Sequence, residues 1–127
     1  MLCICRTFTF EAAHHLPNYK GKCSRPHGHG FKLEVEVSGR INEKDVSEKG
    51  MIMDFGILKK MVNDYIIDQV DHTYLNDKMK NPTAENTVME IKGILSEHIA
   101  STDFHINLER IRLYETENSY AEWRRDL

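Results

Sequence analysis

Cys23, His27 and His29 place a thiol and two imidazoles close together, in the stretch Cys-Ser-Arg-Pro-His-Gly-His. His27 and His29 are two apart, so on an extended backbone both rings leave the same face. Gly28 between them carries no side chain to crowd a shared ion. Two imidazoles on one face are half of a zinc site. Zinc takes His nitrogen at about 2.0–2.1 Å, and a catalytic site usually has three protein ligands and an open position. The thiol then has two readings. It is the fourth ligand of a closed structural tetrahedron, or a reactive group beside an open metal position.

A third ligand depends on the strands that position the pair. Residues 2–15 read as a strand with Leu2, Ile4, Phe8, Phe10 and Ala12 on one parity, Arg6 being the exception. His14 continues that apolar face and His15 the other. Residues 16–30 read as a loop rich in Pro, Gly, Asn and Ser. Over 31–40, Phe31, Leu33, Val35 and Val37 alternate with polar residues. Extended backwards, that register puts His27 and His29 on the apolar parity. Antiparallel pairing of the two strands brings His14 opposite the start of the second, where it completes a three-histidine set. Cys3 and Cys5 lie on the opposite parity, and without a second such pair they read as ordinary strand residues.

The remaining chain supplies two helices and two strands. Asp54 is the expected N-cap of a helix whose Ile57, Leu58, Met61, Val62, Tyr65 and Ile66 form an amphipathic pattern, with Met61 and Tyr65 in the core. Asp71-His72 ends it, an acid–imidazole pair that local sequence also allows to be an ordinary helix end. Thr83 is the expected N-cap of the second helix, with Glu85 in its first turn and Val88, Ile91, Ile94, Leu95 and Ile99 as its buried stripe. His98 and His105 are expected to be without function. A strand over 106–116 changes parity between Leu108 and Ile111, so a bulge near Glu109-Arg110 is expected. Glu115 continues the Ile111/Leu113 face, either as an exposed strand end or as a buried ligand group. A turn at 117–119 returns the chain as a short strand from Tyr120 to Arg125. The order ββααββ implies an α+β fold, an antiparallel sheet with two helices on one face. Its exposed strand edges point to oligomerisation.

Composition bounds the rest. A chain of 127 residues is expected to form one domain, 1–127. The net charge of −3 argues against a nucleic-acid partner. There is no apolar run long enough for a membrane span and no signal-peptide pattern at the N-terminus. Three cysteines without framework spacing fit a reduced, cytoplasmic protein.

Taken together, several motifs carry a resemblance. Phe10-Glu-Ala-Ala-His14-His-Leu-Pro17 is followed by Cys23-x3-His27-Gly-His29, Met53-Asp54-Phe55 and Asp71-His72-x-x-Leu75-Asn76. Asn81-Pro-Thr-x-Glu85-Asn86 and Tyr114-Glu115-Thr116 complete the series. In this order, over the whole chain, they resemble the 6-pyruvoyl-tetrahydropterin synthase / 6-carboxytetrahydropterin synthase family. The resemblance implies the tunnelling fold (T-fold), in which small ββααββ subunits assemble into barrels, commonly as a homohexamer built from two trimers with active sites at subunit interfaces. It implies Zn2+ on His14, His27 and His29, with His15 standing where the family commonly has Arg. It makes Cys23 the catalytic thiol, working with Asp71 and His72. Glu115 anchors the pterin ring with Thr116 beside it, and Thr83 and Glu85 contribute to the pocket from a neighbouring subunit.

The implied substrate is 7,8-dihydroneopterin triphosphate. The Cys-x3-His-Gly-His spacing resembles the bacterial carboxy branch of the queuosine pathway, whose products are 6-carboxytetrahydropterin, acetaldehyde and triphosphate. The pyruvoyl synthase of the same family is the alternative, and a structural zinc module closed by Cys23 is a third. For the lyase, zinc acts as Lewis acid, a thiolate removes a carbon-bound proton, and an imidazole oriented by a carboxylate relays protons near neutral pH. The electrons rearrange within the substrate, and the chain has no glycine-rich dinucleotide motif.

Overall fold

The computed structural model describes residues 1–126. Two long strands, β1 (Cys3–His14) and β2 (His27–Gly39), pair antiparallel from Cys3↔Ser38 to His14↔His27. Phe55–Val62 forms α1, which runs through a wider π-helical turn, Asn63–Ile67, into the short α2, Asp68–Val70. A two-residue strand, β3 (Thr73–Tyr74), pairs parallel with β1 at Ala12 and Ala13. Next comes the long helix α3 (Ala84–Ala100), then β4 (Ile106–Thr116) and β5 (Ser119–Arg124), both antiparallel to their neighbours. The strand order is β3-β1-β2-β4-β5. This is the expected α+β architecture with one added strand. No described helix is long and apolar enough to cross a membrane.

The alternation in the strands decides which face the helices cover. Phe8, Phe10 and Ala12 of β1, Phe31, Leu33, Val35 and Val37 of β2, and Ile111 and Leu113 of β4 join one buried core with Leu58, Met61, Val62 and Ile66, and with Val88, Ile91 and Leu95 of α3. Each such Val, Leu, Ile, Phe or Met side chain taken fully out of water contributes about 1.5–3 kcal/mol. The helix starts are as the sequence implies. Asp54 accepts a hydrogen bond from the Gly56 N–H at 2.6 Å, and Thr83 accepts one from the Asn86 N–H at 3.0 Å. The bulge also falls where the parity change requires it. Glu36 pairs with Arg110 and Val37 with Leu108, leaving Glu109 as the extra residue. Its carboxylate is buried, accepting from Ser38 Oγ at 2.7 Å and pairing with Arg125 at 2.6 Å.

Three expectations are corrected. Tyr65 is not a core residue but is 43 % exposed. The π-helical turn holds more residues than an α-turn, which breaks the 3.6-residue spacing that would have turned Tyr65 inwards. Ile66 is buried instead, and the Tyr65 ring stacks on His98 with centroids 3.9 Å apart. The second strand begins at His27 rather than residue 31, so the histidine pair is within the sheet. Thr73–Tyr74 is a strand that the expected ββααββ order lacks, because two residues are too few to show a period.

The face without helices is polar. Arg110 donates to Glu34 and Glu36, each at 2.9 Å, and Arg112 to Glu122 at 2.7 Å. Cys5 lies beside this network, its sulfur 3.7 Å from an Arg110 nitrogen. All three cysteines are free thiols.

Candidate active site

Strand pairing places three imidazoles at the end of the helix-covered face. His14 stands opposite His27, and Ala12 opposite His29. The ring centroids are 4.6 Å (His14–His27), 4.7 Å (His27–His29) and 5.1 Å (His14–His29) apart. Gly28 does not serve by leaving room for an ion. Its side-chain direction is the other face, and an added Cβ would meet nothing closer than the Ala12 carbonyl at 3.9 Å.

Two of the rings have one nitrogen committed to backbone. His14 Nδ1 lies 2.8 Å from the Pro82 carbonyl, and His27 Nδ1 lies 2.8 Å from the Arg25 carbonyl. A carbonyl only accepts, so both Nδ1 atoms carry a proton, and in the neutral rings Nε2 is a bare lone pair. The Nε2 atoms of His14, His27 and His29 are all buried without a hydrogen-bond partner. Leaving such groups unsatisfied costs about 1–3 kcal/mol each. Together with a carboxylate oxygen of Glu115 they lie within 4.8 Å of one another. Burial pushes His29 below the ordinary imidazole range, helped by its two sister rings and opposed by Glu115. Neutral imidazole is the metal-binding form. Buried lone pairs that converge, with Nδ1 protons held by carbonyls behind them, are what a divalent metal site requires. Nitrogen and oxygen donors of this kind fit Zn2+.

Glu115 joins this group from the end of β4, where the pairing with β5 is irregular between Tyr114 and Thr116. Its Oε1 is 3.0 Å from His14 Nε2 and 3.5 Å from His29 Nε2. The same residue lines a cavity of about 440 Å³ with Glu85, Val88, Met89, Tyr120 and Trp123. Thr116 is exposed at the end of β4, its hydroxyl hydrogen-bonded to Ser119 at 2.7 Å.

The segment 81–86 places His14. Pro82 orients the ring, Thr83 caps α3, and Asn86 Nδ2 donates to the Asn81 carbonyl at 2.9 Å. The Thr83 hydroxyl is thus occupied as a cap. Asn76 has a related part that its residue type alone does not reveal. Its side chain accepts from the His15 N–H at 2.9 Å and donates to the His15 carbonyl at 3.0 Å, fixing the backbone next to His14. The His15 ring lies against the Tyr74 hydroxyl and is not part of the metal-type group.

Cys23 sits in a single helical turn, Lys22–Ser24, and its carbonyl accepts from the Leu16 N–H at 2.7 Å. Its thiol is not among the converging ligand atoms, whose fourth member is a Glu115 carboxylate oxygen. Asp71 and His72 are elsewhere, pinned to the edge of β1. The Glu11 N–H donates to Asp71 at 2.9 Å, and the His72 N–H donates to the Glu11 carbonyl at 2.6 Å. His72 Nδ1 lies 3.0 Å from Asp71, and the His72 backbone is left-handed at φ +59°. The Glu11 N–H, and after it His72, hold the Asp71 carboxyl below the usual carboxylate range. The His72 side chain is 79 % exposed, and within one chain this pair does not join the histidine group.

A five-stranded T-fold with a three-histidine, one-carboxylate centre beside a cavity defines the class. Residues 3–126 match the family described as 6-pyruvoyl tetrahydropterin synthase, and the chain belongs to this family of enzymes. A protein of Archaeoglobus fulgidus, provisionally named a 6-carboxy-5,6,7,8-tetrahydropterin synthase, is 43 % identical over 92 % of this chain and 90 % of its own length. The 6-carboxy-5,6,7,8-tetrahydropterin synthase of Haemophilus influenzae is 32 % identical over 97 % of this chain and 99 % of its own. The solved structure of Caenorhabditis elegans 6-pyruvoyl tetrahydropterin synthase matches with a TM-score of 0.79 at 25 % identity. The match covers 98 % of this chain and 96 % of that one.

Proposed function

We propose that this chain is a zinc-dependent lyase that converts 7,8-dihydroneopterin triphosphate and one water into 6-carboxy-5,6,7,8-tetrahydropterin, acetaldehyde and triphosphate, in queuosine-type 7-deazaguanine biosynthesis. The observation that carries the reading is the convergence of three buried, unpartnered imidazole nitrogens beside a cavity lined by Glu115. The names of the Archaeoglobus and Haemophilus relatives support the carboxy branch.

In this reading His14, His27 and His29 hold Zn2+. When bound, the ion supplies Lewis-acid stabilisation of negative charge developing on the substrate's side chain. Glu115 accepts paired N–H donors from the pterin ring, which fixes the ring in the cavity. Glu85, Thr83 and Thr116 border that ring. Cys23, as thiolate, takes a carbon-bound proton made acidic by conjugation to the dihydropterin. His72, oriented by Asp71, returns a proton to the product side. Electrons lost by the side chain are gained by the ring, so no external redox cofactor takes part.

The exposed Asp71–His72 pair supports completion of the site between subunits of a homo-oligomer, a hexamer of two trimers. The remaining proposals are that 1–127 is one domain, working in the cytoplasm without nucleic-acid or membrane partners.

The test is product analysis with metal quantitation. Purified protein of measured zinc content is given 7,8-dihydroneopterin triphosphate. Acetaldehyde and a carboxylated pterin in equal amounts are expected, with turnover lost on chelation and regained on adding Zn2+. A product that keeps all three side-chain carbons would instead make the chain a pyruvoyl synthase, the second reading, which the Caenorhabditis elegans structure favours. Full turnover in metal-free protein would refute zinc dependence.

A further inference from the structure

Glu115 is close to two different partners that make incompatible demands on one carboxylate. The first is the histidine group. The 3.0 Å and 3.5 Å contacts of Oε1 with His14 Nε2 and His29 Nε2 lack hydrogen-bond alignment, and both nitrogens remain without a partner. His14 Nδ1 already donates to Pro82, so a proton on Nε2 as well would make an imidazolium in a site 1 % exposed. A carboxylate oxygen facing a bare imidazole lone pair is repelled unless a cation lies between them. Donor atoms that share a tetrahedral zinc, each about 2.0–2.2 Å from it, stand about 3.3–3.6 Å apart. The 3.5 Å separation falls in that range and the 3.0 Å separation lies just short of it.

The second partner is the cavity. Glu115 lines it together with Val88, Tyr120 and Trp123, walls suited to a flat heterocycle. A carboxylate holds paired N–H donors with both of its oxygens. An oxygen committed to the histidine group is not free for that fork.

We propose that Glu115 is an exchangeable ligand: it closes the histidine group in the ligand-free protein and is drawn away by a heterocycle with paired N–H donors. A coordination position would then open only once the heterocycle is seated. This rests on the metal and pterin reading given above. By linkage the coupling is reciprocal. A ring that lacks side-chain oxygens weakens metal binding, and the metal weakens binding of that ring.

The experiment uses the full-length protein, pterin itself (a ring without the hydroxylated side chain), Zn2+ affinity by chelator competition, and the visible spectrum of the Co2+-loaded form. Pterin occupancy is followed independently by its fluorescence. Saturating pterin is expected to change the Co2+ spectrum and to lower Zn2+ affinity several-fold. Glu115→Gln is expected to lower Zn2+ affinity by about 10–100-fold, at least what loss of a supporting partner costs at such sites, and to abolish the spectral response. Glu115→Asp, which keeps the charge on a shorter arm, is expected to fall between. An unchanged Co2+ spectrum and Zn2+ affinity at pterin saturation would overturn the exchange, as would wild-type Zn2+ affinity in Glu115→Gln. His27→Ala separates the two levels. If it binds Zn2+ like wild type, or if wild type binds no pterin, the metal and pterin reading fails. If the histidines matter and Glu115 does not, only the exchange fails.

Discussion

Replacing His27 by Ala isolates the metal's contribution to stability, because the ring's two nitrogens have such different surroundings. Nδ1 bonds the Arg25 carbonyl at an exposed position, an interaction with a net value of about 0.5–1.5 kcal/mol. Nε2 is buried and unpartnered, and removing it relieves a cost of about 1–3 kcal/mol. In metal-free protein the two effects oppose each other, and the substitution is expected to be near neutral. With Zn2+ present the balance changes. A metal at 1,000 times its dissociation constant stabilises the folded chain by about 4.1 kcal/mol. If losing one ligand weakens binding about 100-fold, the same metal concentration supplies about 1.4 kcal/mol, a loss of about 2.7 kcal/mol. For a domain of this size that is a difference in Tm of roughly 8–13 °C. The assay is thermal unfolding of wild type and His27→Ala, each in chelator and in a fixed excess of Zn2+. The expected result is similar Tm values in chelator and a much smaller zinc-induced rise in the variant. Equal zinc-induced rises would refute the ligand assignment. A large loss already present in chelator would refute the argument that Nε2 is a burden without metal.

Further outcomes are expected from other parts of the site. Cys23→Ala, outside the converging group, should keep full metal content and wild-type Tm while turnover falls by about 10²–10⁴-fold, as for loss of a proton-transfer group. Thr83→Ala should lower stability by about 1 kcal/mol through the lost cap of α3, read as a lower denaturant midpoint at unchanged slope. Asp71 is held below the usual carboxylate range, so its contribution is present above that range and is lost as pH falls through the depressed value. Asp71→Asn should therefore flatten the acid limb of stability against pH by lowering Tm near pH 7, where the contribution is present, while leaving Tm below the depressed value little changed, and an unaltered acid limb would contradict the Glu11 and His72 contacts.

Much of this centre was legible because it is built on strand parity. His27 and His29 share parity with Phe31, His14 shares it with Phe10, and a single pairing register joins the two sets. Glu115 belongs to the same face as Leu113, so its arrival near the histidines was accessible once β4 was placed beside β2. Its approach to His14 was not, because that depends on the local irregularity between Tyr114 and Thr116. Pro82 and Asn76 were silent for another reason. Pro82 acts through a carbonyl that every residue has, and Asn76 acts on the backbone of a residue distant in sequence. Tyr65 was misplaced because its residue type fits the helical stripe, whereas the π-helical turn that exposes it leaves no mark in the apolar pattern. Asp71 and His72 were legible as a pair, yet their position at the β1 edge follows from β3, two residues too short to recognise.

The bulge at Glu109 also sets how β4 tolerates a change of length. Ile106 and Leu108 on one side, and Ile111, Leu113 and Glu115 on the other, reach the same face only because one extra residue lies between them. Deleting Glu109 would convert β4 into a regular strand and leave every inward residue inward, at the loss of the Ser38 and Arg125 contacts. Deleting Arg112 instead would send Glu115 through to the opposite face, or else drive Ile111 out of the core. The strand thus has one reading frame for its site and another for its far end, with a single residue at which the frame shifts without damage to either.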